Sequence, residues 1–258
     1  MKEYVKIFNG YRQAYGIADW TNATVDPESG KKKPVYRWTY EEFTDQIYTD
    51  HLTGNKSVGI QPTNENGDAK FGVIDIDPKK YEDYDKQFYL QTIQEYKLPL
   101  VPIESKSGGL HLYLFMAEFV PSTLIVSFLS NLLPIFNLKP DCEIFPKQTQ
   151  LTKDPETGIL KPGQFINLPY FEGAKRKALN IDGTFFTLEQ FIKVAEANLT
   201  TAEDLKSITD DMEVKSMEGV DEEFIEGPPC LALLSKITNK TGFDGKDRFM
   251  YNYHVFVK

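Results

Sequence analysis

The run Phe71-Gly72-Val73-Ile74-Asp75-Ile76-Asp77, closed by Pro78, is the feature that most constrains what this chain can fold into. It is rich in β-formers, and the proline that follows cannot donate to a sheet ladder, so a strand must stop there. Side chains two apart on a strand point the same way, which places Asp75 and Asp77 together at the strand's end. Two hard oxygen ligands side by side suit Mg²⁺ or Mn²⁺, and without a cation their repulsion raises a pKa. Alone, such a pair reads equally as two solvated carboxylates capping a strand, and it also occurs in sugar-nucleotide transferases.

Around this run the pattern alternates between strand and helix. Tyr4-Val5-Lys6-Ile7-Phe8 is strand-like, with a turn at Asn9-Gly10, and Thr24 to Pro34 reads as a polar hairpin or loop. Thr39 is expected to cap a helix that carries Phe43, Ile47 and Leu52 on one face and ends at Gly54-Asn55. Ser57 to Ile60 and Val101 to Ser105 are strand-like. So are Leu110 to Phe115, Glu143 to Phe145 and Phe165 to Leu168. Tyr84 to Tyr96, Ser122 to Phe136 and Leu188 to Ala197 read as helices. An α+β domain with a mainly antiparallel sheet is therefore predicted over residues 1–198. Residues 199–226 form an acidic linker with some helix, and 227–258 read as a small helical piece opened by Gly227-Pro228-Pro229. The chain stops on Val255-Phe256-Val257-Lys258 with apolar residues still running, so the natural protein is expected to continue.

Charge qualifies what the domain can bind. The net charge of −9 disfavours a strong non-specific DNA binder. Thr201 to Glu226 alone carries −8, however, with ten acids against Lys206 and Lys215, leaving −1 for the rest. A near-neutral body can hold a local basic groove. No apolar stretch has the length of a membrane helix, and Met1-Lys2-Glu3-Tyr4 does not open a signal peptide. Cys142 and Cys230 have no metal-ligand spacing, so neither a zinc site nor a disulfide framework is inferred, and a reducing cytoplasm is the expected setting.

Two further segments carry chemistry. In Ser105-Lys106-Ser107-Gly108-Gly109-Leu110-His111, a Ser-Gly-Gly turn can present backbone N–H groups and hydroxyls to phosphate. His111 follows, placed to donate to a phosphate or move a proton, or merely to satisfy the hairpin. In Asp141-Cys142-Glu143-Ile144-Phe145-Pro146-Lys147-Gln148, Asp141 and Glu143 repeat the spacing of two, and Lys147 can meet a nucleotide phosphate. A third carboxylate beside the first two completes a two-metal centre, although an acid on a strand more often faces solvent.

In this order, Asp-x-Asp on a strand, Ser-x-Ser-Gly-Gly-x-His and Glu-Ile-Phe-Pro-Lys-Gln resemble the archaeo-eukaryotic primase superfamily, closest to the primase-polymerases of phages and mobile elements. Val58-Gly59-Ile60 and Gly163-Gln164-Phe165-Ile166-Asn167-Leu168-Pro169-Tyr170 extend the likeness over roughly residues 1 to 195. The resemblance implies an RNA-recognition-like catalytic sheet packed on an N-terminal α/β unit. It implies Asp75, Asp77 and Glu143 as metal ligands for two Mg²⁺ or Mn²⁺ ions, with Asp141 a weaker candidate. It implies His111 as a catalytic and nucleotide-binding residue, with Ser105, Ser107, Gly108, Gly109, Lys147 and Asn167 around the nucleotide. The family often has Asp where Glu143 stands, which leaves metal preference open.

Pro228 to Leu234 and Gly245 to Tyr251 resemble the small helical domain that follows such primases and often precedes a helicase. The activity implied is template-directed primer synthesis and extension. Its partners are single-stranded DNA template, primer and nucleoside triphosphates, with a helicase region fused downstream, in a bacterial or phage-infected cytoplasm. Two other classes use the same residues: a metal-dependent nuclease, and a single-stranded nucleic-acid-binding module without catalysis.

Overall fold

A computed structural model describes residues 1–217 apart from 26, 28, 29, 31, 107, 157, 159 and 174, and apart from the side chains of 20 and 211–217. The N-terminus is a helix, α1 (Lys2–Ile7), rather than the predicted strand. Tyr4, Ile7 and Phe8 stand at i, i+3 and i+4, and winding them into a helix buries all three, which outweighs their β-propensity. Strands β1 (Tyr15–Val25) and β2 (Lys32–Thr39) follow as a long hairpin, of which the predicted polar loop is only the tip. Thr39 therefore belongs to a strand. The next helix, α2 (Asp45–Leu52), starts later, with Thr44 in the extended N-cap position.

The remaining elements sit near their expected positions. They run β3 (Val58–Ile60), β4 (Asp68–Ile76), a 3-10 turn (Pro78–Lys80), α3 (Lys86–Glu95), β5 (Leu100–Glu104), β6 (Leu110–Pro121) and α4 (Ser122–Leu132). After them come β7 (Glu143–Phe145), a small hairpin of β8 (Thr152–Lys153) and β9 (Leu160–Lys161), and β10 (Ile166–Asn167). Helices α5 (Leu188–Ala197) and α6 (Ala202–Met217) end the described chain. α5 opens with a reciprocal capping box between Thr187 and Gln190.

The protein is mixed α+β with antiparallel sheets, as expected, but the strands form two four-stranded sheets instead of one. The first has the order β10-β3-β1-β2 and the second β5-β6-β4-β7. One aromatic core joins them. Phe8 lies 5.5 Å from Phe71, 5.7 Å from Tyr113, 5.4 Å from Phe115 and 6.0 Å from Phe191 between ring centroids. Val58, Ile60 and Ile166 of the first sheet and Val73, Val101 and Phe145 of the second close around them, all buried. Such ring pairs each add roughly 0.5–1.5 kcal/mol beyond the area they bury. The second sheet's other face is covered by α4, with Ile125 and Leu129 against the bare backbone of Gly72.

The chain divides into two compact units, Met1–Ala202 and Glu203–Lys258. In the second, the acidic stretch supplies α6 from Glu203 onwards. Residues 218–258, which include the expected small helical piece, lie outside the described residues. Among the described residues no helix is long and apolar enough to cross a membrane.

Candidate active site

β4 runs in the middle of the second sheet, and its neighbours are in a register that makes one polar row. Asp75 stands opposite His111 on β6 and opposite Glu143 on β7. Directly opposed residues share a face. Below this row, Val73, Tyr113, Val101 and Phe145 stand opposite one another on the same face and are buried in the core. The face is therefore apolar until its last row, where the strand ends and polar side chains meet solvent.

His111 Nε2 lies 3.3 Å from Asp75 Oδ1. The Asp75 side chain remains 31% exposed and that of Glu143 39%. Glu143 is gripped by two lysines, Lys147 at 2.6 Å and Lys80 at 3.2 Å. The Lys147 ammonium above all, then Lys80, holds the Glu143 carboxyl below its ordinary value, against the opposing effect of partial burial. Lys80 follows Asp77 closely in sequence and is brought to Glu143 by the 3-10 turn.

Asp77 and Asp141 lie outside the paired strands, Asp77 on extended backbone (φ −83°, ψ 118°) that continues the alternation from Asp75. β4 ends at Ile76, so Asp77 is off the strand and caps the 3-10 turn, its Oδ1 accepting from Lys79 N at 3.0 Å. β7 begins at Glu143, which leaves Asp141 exposed in the preceding turn and outside the row. Among the described residues no three His, Cys, Asp or Glu side chains are gathered tightly enough to hold a metal ion. The donor chemistry nonetheless fits a hard divalent cation. Two solvent-accessible carboxylates face each other in register, the third is next along the chain, and lysine ammonium groups now supply the positive charge that Glu143 draws.

The Ser-Gly-Gly turn is a tight hairpin whose amides are largely committed. Gly108 N donates to Ser105 O at 3.1 Å, and Gly109 N donates to Ser105 Oγ at 3.0 Å. Gly109 passes so close to Ile76 that any Cβ there would collide with the Ile76 carbonyl. The turn thus presses against the end of β4, and phosphate contacts through those two amides would need the turn to rearrange. Ser107 lies outside the described residues.

A cleft of about 600 Å³ opens beside this turn. Lys106, Lys175 and Arg176 line it together with Ser57, Ser105 and Asn167. Its acid, Glu104, is bonded to Lys86 at 2.6 Å. Burial pulls the Arg176 guanidinium below its ordinary value, and burial followed by the charge of Arg176 does the same to Lys106. Lys175 is paired with Glu172 at 2.9 Å, and Arg176 donates to Ser57 Oγ at 3.4 Å. Arg176 is set there by an unusual backbone. Tyr170, Glu172 and Arg176 have φ of 59°, 58° and 57°, each a left-handed conformation costing of order 1 kcal/mol. The segment is pinned to β5 by the Ile103–Ala178 bridge and by Glu104 N donating to Lys177 O at 2.9 Å.

Tyr113 is buried in the row beneath His111, with ring centroids 6.1 Å apart. Its phenol is buried and raised by that burial, lowered by nearby Arg176 and raised again by Asp75. The structure therefore brings Asp75, His111, Glu143 and Lys147 into one row, and Ser105 and Asn167 into the cleft. The sequence reading missed Lys80, Lys106, Lys175 and Arg176. For the last two the signal was the run Lys175-Arg176-Lys177, shortly after Asn167-Leu168-Pro169-Tyr170.

The family model of the archaeo-eukaryotic primase domain of TOTE conflict systems matches residues 5–211. The chain belongs to that family of archaeo-eukaryotic primase domains. It is thereby a member of a primase family of nucleotidyltransferases, which act on nucleic acid and nucleoside triphosphates. Five chains of solved structures match, among them the crystal structure of primase RepB′, at 11% identity and a TM-score of 0.35. That match covers 93% of this chain and 74% of the other, a likeness too loose to carry fold or function. No curated protein matches the chain.

Proposed function

We propose that this domain carries out template-directed nucleotidyl transfer, joining nucleoside triphosphates to a 3′-hydroxyl to make and extend primers on single-stranded DNA. The observation that carries this reading is that the sheet bearing the Glu143–Asp75–His111 row leads, at the end of its strand β5, through Glu104 and Ser105 into a cleft lined by Lys106, Lys175 and Arg176. Carboxylates for cations beside cations for phosphates is the division of labour that phosphoryl transfer needs.

In this reading Asp75, Asp77 and Glu143 hold divalent metal, one ion or two, which when bound makes the attacking hydroxyl more acidic and neutralises charge on the leaving pyrophosphate. Arg176 and Lys106 hold the triphosphate, and their fixed positions exclude the entropy cost of ordering it during reaction. His111, oriented by Asp75, donates from its ring to a phosphate oxygen. Lys147 contributes a further ammonium once it leaves Glu143. Asn167 and Ser105 offer hydrogen bonds to the sugar or phosphates. Positioning and charge neutralisation carry the rate, with no covalent enzyme intermediate.

The second sheet with α3 and α4 corresponds in this account to the RNA-recognition-like catalytic sheet, and the first sheet to the N-terminal unit packed on it. A cytoplasmic setting and a downstream helicase region belong to the same reading. The test is extension of a labelled primer on a single-stranded template with Mg²⁺ or Mn²⁺. Lengthening that disappears in Asp75→Ala supports it. Shortening of the labelled strand would instead indicate a nuclease, and binding without either change a non-catalytic module.

A further inference from the structure

The outer face of the first sheet carries an aromatic surface that the chemistry above does not use. Across its four strands, Asn167, Gly59, Gly16 and Trp38 stand in one row. The two glycines leave the middle of the row without side chains, and the Phe165 ring lies on that bare floor. A Cβ at Gly16 or Gly59 would collide with the ring. Trp38 meets Phe165 edge-on, with centroids 5.0 Å apart and planes at 84°. Tyr36, on the same side of β2, lies 6.2 Å from Phe165 and is 49% exposed.

The indole N–H of Trp38 donates to Gly163 O at 3.2 Å, which fixes its plane. Tyr36, Arg37, Trp38, Gln164, Phe165 and Asn167 surround an open groove of about 340 Å³. Fixed aromatic rings left facing water mark a binding surface.

Its occupant follows from what surrounds the rings. Lys32, exposed and on the Tyr36 side of β2, continues the surface, whereas Arg37 alternates to the opposite face of the strand and pairs there with Asp19 at 3.0 Å. Tyr36 and Asn167 line both this groove and the cleft that holds Lys106, Lys175 and Arg176. In a chain of net charge −9, this is a path of cations running beside aromatic faces. Bases of a duplex have their faces already stacked, whereas those of a single strand are free to stack on protein rings.

We propose that the Tyr36–Trp38–Phe165 surface is a stacking platform for single-stranded nucleic acid, delivering the strand into the cleft. The inference rests on the nucleotidyl-transfer reading only in taking that strand to be the template. The contacts themselves are sequence-tolerant, because every base presents a π-face. Lys32, beside the rings, meets the strand's phosphates and makes binding salt-dependent, while the cleft cations stay with the triphosphate.

The test is fluorescence anisotropy of a labelled oligothymidylate with the full chain, without metal or nucleotide, alongside intrinsic tryptophan emission. Tyr36→Ala and Trp38→Ala are each expected to weaken binding roughly ten- to a hundredfold, as loss of one stacked base does. Trp38→Phe keeps a stacking ring and is expected to retain most of the affinity while losing the oligonucleotide-induced quenching, with circular dichroism reporting an unchanged fold. Tyr36 is half-exposed, so its alanine variant tests the platform even where Trp38→Ala disturbs the Gly163 loop.

Unchanged affinity in the folded Tyr36→Ala and Trp38→Ala proteins would overturn the proposal. So would a blunt duplex of equal length binding as tightly as the single strand. Asp75→Ala is expected to bind like the wild type, which separates this proposal from the catalytic one. Activity lost with binding intact counts against nothing here, and platform variants with full affinity leave the nucleotidyl-transfer reading standing.

Discussion

Lowering the pH from 7 to 5 is expected to cost this fold about 2 kcal/mol at one side chain, His51. The imidazole is fully buried in α2. Val58 N donates to its Nδ1 at 3.2 Å, so Nε2 carries the hydrogen and donates to Pro169 O at 2.9 Å. Protonation would place an N–H against an N–H, in a site closed to solvent and within the field of Arg176. Burial first, then Arg176, lowers the pKa from 6.5 to about 3.

Between those two values the unfolded chain binds a proton that the folded chain does not. Stability is therefore complete above about pH 6.5 and falls by roughly 1.4 kcal/mol per unit below it. The Pro169 carbonyl also accepts from Tyr4 at 2.7 Å, so the same pair of bonds anchors the segment between Asn167 and Arg176. The assay is urea denaturation at pH 7, 6 and 5 for wild type and His51→Gln. The variant's amide can make both hydrogen bonds and does not titrate. Every other titrating group cancels in the difference, which should grow by about 2 kcal/mol towards pH 5 in the variant's favour. Parallel pH profiles would refute a buried neutral His51.

Two further outcomes follow from packing and charge. Gly16→Ala drives a methyl into the Phe165 ring and is expected to destabilise the protein by about 1–3 kcal/mol in urea denaturation. The cost should shrink in a Phe165→Ala background, where the two substitutions couple. Lys147→Met removes the larger of the two influences that hold Glu143 acidic. Its carboxyl resonance in an NMR titration should shift to a higher pKa, with Lys80→Met having the smaller effect. The stabilisation from these ion pairs is present above the ordinary carboxylate range and lost as pH falls through the lowered Glu143 value.

Much of the second sheet was legible because its determinants are local. Pro78 ended β4, the Ser-Gly-Gly turn paired β5 with β6, and short β-rich runs located β7 and β10. The polar row followed from strand ends, and only register, which sequence spacing does not contain, made Asp75 the common neighbour of His111 and Glu143. Asp77 lies just past the end of β4 because Pro78 begins a 3-10 turn, and on backbone that is still extended its carboxylate accepts from Lys79 N.

Where the reading failed, distant packing decided. Lys2–Ile7 has β-forming residues but becomes helical to bury Tyr4, Ile7 and Phe8. β1 contains Gly16, Ala18, Asn22 and Ala23, and shows little strand pattern of its own. Gly16 makes sense only once Phe165 is seen lying on it. Arg176 is a surface-like residue in sequence, drawn inward by the bridge between Ala178 and Ile103.

Primer extension by the full chain on single-stranded DNA, with Mn²⁺ or Mg²⁺ and labelled nucleoside triphosphates, tests the central claim most directly. The account predicts lengthened products from wild type, none from a folded Asp75→Ala protein, and a rate reduced by at least about a hundredfold in Arg176→Ala, as expected for loss of one fixed contact to transition-state charge. Undiminished synthesis by Asp75→Ala would contradict the account.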